Sequence, residues 1–124
     1  MQYSAAELAQ GICPEGWHIP TDGEQNTLDQ NLNDTTCDAN RGDRGCANAG
    51  TKLKVGGTSH FEGVLAGQRS PDNLFDYHGI NALFWSSTIN NDSAFSRSLR
   101  SSYATVERHD YPQDLGFSVR CLQD

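Results

Sequence analysis

The sequence predicts an α+β fold: one early helix, then short antiparallel strands joined by long loops. Three observations predict it. The segment from Thr21 to Leu32 carries a helix start signal and leucines at helical spacing. Later runs alternate polar and apolar residues with the two-residue period of a strand. Twelve glycines in 124 residues, with 35% hydrophobic residues, fit short elements linked by turns.

Taken in order, YSAAELAQ (3–10) is rich in helix formers and predicts a helical turn or an ordered tail. In GICPEGWHIP, Ile12, Trp17 and Ile19 are apolar anchors, and Pro14 and Pro20 restrict the backbone to strand or turn geometry. A short strand is expected around Trp17–Ile19. Thr21-Asp22-Gly23-Glu24 is a capping box: the Thr oxygen accepts from the amide three residues on, and Glu24 returns the bond. Leu28 and Leu32 follow, so a helix is expected from about Asp22 to Leu32, packed along one narrow stripe. Residues 33–50 form a polar, Gly- and Asp-rich excursion. TKLKV (51–55) alternates and reads as a short strand or the approach to one. After a GGTSH turn, Phe61, Val64 and Leu65 are candidate core residues. Pro71-Asp72-Asn73 signals a turn. Leu74, Phe75, Ile80, Leu83, Phe84 and Trp85 make the densest apolar cluster, and Trp85-Ser86-Ser87-Thr88 opens a strand. AFSRSLR (94–100) puts Phe95, Arg97 and Leu99 on one face and Ala94, Ser96, Ser98 and Arg100 on the other. TVER (105–108) is its expected hairpin partner. GFSVR (116–120) alternates again, with Phe117 and Val119 inward.

Length predicts a single domain spanning residues 1–124, which buries roughly two-thirds of its extended surface. A net charge of −7 argues against nucleic-acid binding, which needs a basic patch. No basic amphipathic helix and no long apolar run points to a membrane. The opening residues lack a charged n-region and an apolar h-region, so the chain reads as a fragment of a longer, exported protein without its own signal peptide. The cysteines are Cys13, Cys37, Cys46 and Cys121, with no CxxC pair, and His18, His60, His78 and His109 are scattered. Disulfides fit better than zinc. Three connectivities are open. The favoured one clamps a local loop with Cys37–Cys46 and ties the chain's ends with Cys13–Cys121, a long closure contributing roughly 2–5 kcal/mol.

No catalytic set stands out: there is no G-x-S-x-G, no H-E-x-x-H and no phosphate-cradling loop. His109-Asp110 is the one candidate acid–base pair. His18, between Trp17 and Ile19, reads as a strand residue facing solvent or satisfied locally. Arg41-Gly42-Asp43, between two cysteines, is a candidate adhesion tripeptide. Asp34, Asp38 and Asp43 offer oxygens to Ca²⁺, but without the Asp-x-Asp-x-Asp-Gly spacing; no cofactor is expected beyond that alternative. The stretch from Phe84 to Cys121 differs in kind. Its ends read as scaffold. Its middle has the composition of binding loops: aromatics with Ser and Arg. The candidate ligand-binding residues are Phe95, Ser96, Ser98, Arg100, Ser101, Ser102, Tyr103, Glu107, His109, Asp110, Tyr111 and Pro112.

GICPEGWHIPTDGE, AGTKLK, F-x-x-x-L-A-G-x-R, FWSST and the terminal GFSVRCLQD together resemble the Fibrobacter succinogenes major paralogous domain. The match runs from about Gly11 to Asp124. The resemblance implies a C-type-lectin-like fold related to the formylglycine-generating enzyme fold. Gln25 departs from the pattern, where the family often has Trp, which implies weaker helix packing; the loop at Cys37–Cys46 looks like an insertion. Domains of this kind also serve as variable proteins of diversity-generating retroelements, including archaeal and viral ones, with template adenines mutated, usually in Asn codons. Such codons yield Ser, Arg, His, Asp, Tyr, Pro and Phe among others, but not Lys, Glu, Gln, Met or Trp. Between Ser93 and Leu115 there is no Lys, Met or Trp, while Glu107 and Gln113 are exceptions. The candidate variable region is 86–116. The resemblance therefore implies a non-enzymatic display protein, extracellular or on a cell or virion surface, that binds a protein or glycan ligand. A non-diversified adhesion or glycan-binding module is the alternative, and an enzyme remnant a third. The Glu-Pro-Asn, Gln-Pro-Asp and Trp-Asn-Asp sets of sugar-binding C-type lectins are absent; Pro71-Asp72-Asn73 and Asn90-Asn91-Asp92 only echo them.

Overall fold

One antiparallel sheet organises the chain: helices cover one of its faces, and a second apolar cluster covers the β5 end of the other. The structure is a computed structural model and describes residues 6–33 and 37–124. The order is β1 (Trp17–His18), α1 (Asp22–Leu32), β2 (Arg44–Gly45), α2 (Ala49–Leu53), β3 (Gln68–Arg69), β4 (Phe75–Asp76), β5 (Asn81–Asn90), β6 (Ser93–Arg100), β7 (Val106–Pro112) and β8 (Leu122–Gln123). The main sheet runs β2-β7-β6-β5, with the two-stranded ribbons β1-β8 and β3-β4 beside it. Helix plus antiparallel strands is the predicted α+β class. Tyr3 to Ala5 and Asp34 lie outside the described residues.

The register assigns side chains to faces. Ala82 and Phe84 of β5 lie opposite Leu99 and Arg97 of β6, and Leu99 lies opposite Val106 of β7. These residues face the helices, and all but Arg97 form a core with Ala49 and Leu53 of α2 and with Leu28 and Leu32 of α1. Leu83 and Trp85 point the other way and join Ala94 and Phe117 in a second core. That is why β5 is buried continuously from Asn81 to Ser87 rather than alternately.

Helix α1 spans the expected residues. Thr21 Oγ1 accepts from the Glu24 amide, and the Glu24 carboxylate accepts from the Thr21 amide, closing the capping box. Its sheet-facing side also carries Asp22, Asn26 and Asp29, spaced i, i+4, i+7. Asp29, 1% exposed, accepts from Arg41 Nη2 at 2.8 Å and Arg97 Nε at 2.7 Å. Asp22 accepts from Arg97 Nη1 at 2.7 Å and Arg108 Nη2 at 2.8 Å. Burial pushes the Asp22 carboxyl up, but the hydrogen bonds from Arg108 and Arg97 outweigh it and hold it below its ordinary value. The helix is thus docked by a buried ionic network as well as by leucines.

Four expectations are corrected. TKLKV is not a strand: α2 covers Ala49–Leu53, because Ala49 and Leu53, one turn apart, both face the core. Gly50 lets that helix approach, since a Cβ there would meet the Thr105 and Ala104 carbonyls. Val64 is exposed, while Phe61 and Leu65 pack against the core. The apolar run divides: Leu83, Phe84 and Trp85 are buried, whereas Leu74, Phe75 and Ile80 are exposed, Phe75 at 80%. The backbone turns away from the core through Asn73 and Tyr77, both at positive φ. Finally, residues 116–120 form only single bridges, Gly116 to Arg69 and Ser118 to Phe84, and the regular strand comes later as β8. Phe117 is nevertheless buried as expected, and Val119 packs beside it.

Cys13 bonds Cys121 across 108 residues, and Cys37 bonds Cys46 across 9. This is the favoured pairing. His18 is buried rather than solvent-facing. Its Nδ1 lies 2.6 Å from Asp124 and its Nε2 3.1 Å from Glu24. The hydrogen bond to Asp124 raises its pKa above the ordinary value, burial opposes this, and Glu24 adds to the rise.

Candidate functional site

The face of the sheet opposite the helices is the candidate site. Strands β6 and β7 send Ala94, Ser96, Ser98 and Arg100, and Glu107, His109 and Tyr111, to that face, and β2 adds Arg44 beside Glu107. The face has two rows. One is aromatic: Trp85 stacks on Phe117 at 4.2 Å, Phe117 meets Tyr111 edge-on at 5.5 Å, and Tyr111 meets His109 at 5.9 Å. The other is ionic: Arg100 Nε donates to Glu107 at 3.0 Å, and Arg44 Nε lies 3.8 Å from the same carboxylate. Tyr103, from the β6–β7 turn, places its ring 4.5 Å from the Arg44 guanidinium.

Alternation assigned Ser96, Ser98 and Arg100 to the face away from Leu99, and the structure puts them there. Their accessibility differs from the expectation. Ser96 and Ser98 are buried, because each small side chain sits between larger cross-strand neighbours, Trp85 and His109 for Ser96, Leu83 and Glu107 for Ser98. Ser96 Oγ donates to the His109 carbonyl. Glu107 is buried too, between its two arginines. These three form a floor. The reachable side chains are Arg44, Arg100, Tyr103, His109 and Tyr111. Burial and then the Glu107 carboxylate push the Tyr111 phenol above its ordinary value, so it stays a neutral donor.

Other candidates fall elsewhere. Phe95 is on the helix-side face, its ring 4.1 Å from the Arg108 guanidinium. Asp110 lies opposite Phe95 in the register and accepts from Asn90 Nδ2 at 3.1 Å. His109 and Asp110 therefore point to opposite faces and form no acid–base pair; His109 Nε2 lies 3.2 Å from Asp43 instead. Pro112 is exposed at the end of β7, and Ser101 and Ser102 are exposed in the turn. The adhesion tripeptide is not presentable, because Arg41 is buried against Asp29, Asn26 and the Val106 carbonyl. Asp38 accepts from the Asn40 amide in its own turn. No group of three His, Cys, Asp or Glu that could hold a metal occurs among the described residues.

The sequence reading missed Arg44 and named Asp43 only for adhesion or Ca²⁺, not for this face. Their only signal was a charged pair between Gly42 and Gly45, at the start of the short strand that pairs with β7.

The β6–β7 turn borders a second surface. An open groove of about 970 Å³ runs between α2 and the residues before β5, with Lys54, Val55, Val64, Leu65 and Ser101 along it. The turn is held from outside. Lys54 Nζ donates to the Arg100 and Tyr103 carbonyls, the Thr51 amide to the Ala104 carbonyl, and the Ser101 amide to the Ile80 carbonyl.

Together these features define an α+β module whose helices brace one face of a sheet, while Arg44, Arg100, Tyr103, His109 and Tyr111 are reachable on the other. The chain matches the Fibrobacter succinogenes major domain over residues 2–123, and it belongs to that family. Searches of curated proteins and of solved structures returned no match.

Proposed function

We propose that this chain is a ligand-display module with a C-type-lectin-like fold, and that the β2-β7-β6 face with the β6–β7 turn is its binding surface. The observation that carries the reading is the division of labour between the faces. One face spends its charges on a buried network with α1; the other presents Arg44, Arg100, Tyr103, His109 and Tyr111 over a closed floor. Aromatic and arginine side chains on rigid backbone suit protein or glycan recognition. Binding rather than catalysis is further supported by the cysteines, all bonded, which removes the thiol nucleophile of an enzyme remnant. Two disulfides suit an oxidising setting and support a proposed location outside the cell or on a virion surface.

Diversification by a retroelement is part of the proposal, because every exposed position of this face except Arg44 falls within the candidate variable segment. The coding DNA tests it. Codons for Arg100, Ser101, Ser102, Tyr103, His109 and Tyr111 should end in C or T, and a near-copy template should lie beside a reverse transcriptase. Other third bases at most of these codons, or no template, would leave a non-diversified adhesion module. Binding itself is tested by selecting partners against the protein and mapping their footprint by hydrogen exchange. A footprint that spares β7 and the β6–β7 turn refutes the assignment of the face.

A further inference from the structure

The nine lysines and arginines of this chain are mostly committed. Arg41, Arg97 and Arg108 are buried in the helix-side network. Lys54 holds turn carbonyls, and Lys52 Nζ donates to the Leu32 carbonyl. Arg69 is bonded to Asn73, and Arg120 lies over Phe61. Arg44 and Arg100 are different. Both sit on the candidate face, with side chains 45% and 41% exposed, and both turn Nε toward the Glu107 carboxylate, itself 5% exposed. Their Nη groups make no hydrogen bond among the described residues, although the Tyr103 ring lies 4.5 Å from the Arg44 guanidinium. A guanidinium carries five donors in a planar fork, so each keeps the pair that recognises a carboxylate edge-on.

Building on the display-face reading, we infer that the Arg44–Glu107–Arg100 triad recognises a carboxylate side chain on an acidic segment of a protein partner. Three considerations lead there. The triad carries one net positive charge, which a monoanion balances and a phosphate dianion overbalances. Glu107 hydrogen-bonds Arg100, and the Tyr103 ring with the nearby Glu107 carboxylate orients Arg44, so less side-chain entropy is lost on binding. Tyr103 lies against Arg44, and Tyr111 lies beyond His109 on the same face; they offer a protein chain apolar area near the charge. The whole molecule carries −7, so this island of positive charge selects a local acidic group against an unfavourable long-range field.

The test is an NMR titration of the wild-type protein with a hexaglutamate peptide, reading the arginine Nε–H signals. Arg44 and Arg100 should shift together in the millimolar range, with Arg69 and Arg120 still. Hexaglutamine should move neither, and inorganic phosphate should bind more weakly. Arg44→Gln and Arg100→Gln should each weaken hexaglutamate binding about three- to fivefold, as expected for exposed charge pairs; their amide spectra report whether the fold is kept. Equal shifts with hexaglutamine, shifts led by Arg69 or Arg120, or tighter binding of phosphate would overturn the inference. The two readings fail separately. A selected partner whose footprint covers Tyr103 and Tyr111 but whose affinity survives both arginine variants refutes the carboxylate inference and keeps the display face. A footprint confined to Leu74–Ile80 refutes both.

Discussion

Asp29→Asn isolates the buried network. The substitution keeps size and shape and removes one charge at a site 1% exposed. Arg41 and Arg97 then face each other across a neutral amide, 2.8 and 2.7 Å from the atom that held them. Asp22 still pairs with Arg97, but Arg41 has no second carboxylate among its partners. Removing one partner of a buried pair costs about 3–5 kcal/mol, because the remaining charge stays desolvated. With an unfolding entropy of about 2.1 cal/mol/K per residue over 124 residues, that lowers Tm by about 12–19 °C. Thermal melting followed by circular dichroism measures it, with Asp43→Asn, whose pair with His109 is exposed on both sides, as a control expected to cost less than about 1 kcal/mol. A drop under about 4 °C for Asp29→Asn, or one no larger than the control's, would show that leucine packing alone holds α1 to the sheet.

Two further outcomes are expected. The folded-state pKa of His18 is raised above 6.5, so its stabilisation is fully present below that value and is lost as pH rises through the higher folded value. Melts between pH 5 and about 9 should show this loss in the wild type and not in His18→Gln; parallel curves would refute the charged clamp. Gln25 lines a cavity of about 300 Å³ between α1 and the sheet, and its Oε1 is buried with no hydrogen-bond partner among the described residues. Gln25→Trp should fill that space at the loss of one bond to the Trp85 carbonyl. The expected gain is about 1–3 kcal/mol, read as a higher urea midpoint; a lower midpoint means the cavity cannot take the ring.

What the sequence disclosed followed the range of the signals. Helix α1 was readable to the residue because its capping box is local. The faces of β6 were readable because alternation needs only the strand itself. The ionic network was not, because Asp22, Asn26 and Asp29 look like a solvent stripe until Arg41, Arg97 and Arg108 arrive from distant segments. One clue was present: Arg97 shares its face with Leu99, which requires a buried counter-charge. Helix α2 was missed because tertiary packing of Ala49 and Leu53 overrides the strand-like alternation of a five-residue run. In the candidate site, Arg100, Tyr103, His109 and Tyr111 were readable from composition. The burial of Ser96, Ser98 and Glu107 was not, since it depends on the size of cross-strand neighbours.

The scaffolding of the β6–β7 turn has a consequence for how the module tolerates change. Every bond that holds the turn from outside ends on a main-chain atom: the carbonyls of Arg100, Tyr103 and Ala104 and the amide of Ser101. Those atoms are common to nearly all amino acids, and only proline would lose the amide. The loop's path is thus written into Lys54, Thr51 and Ile80, outside the segment that follows it. Sequence can turn over at Ser101, Ser102 and Tyr103 while the curve that carries them stays the same.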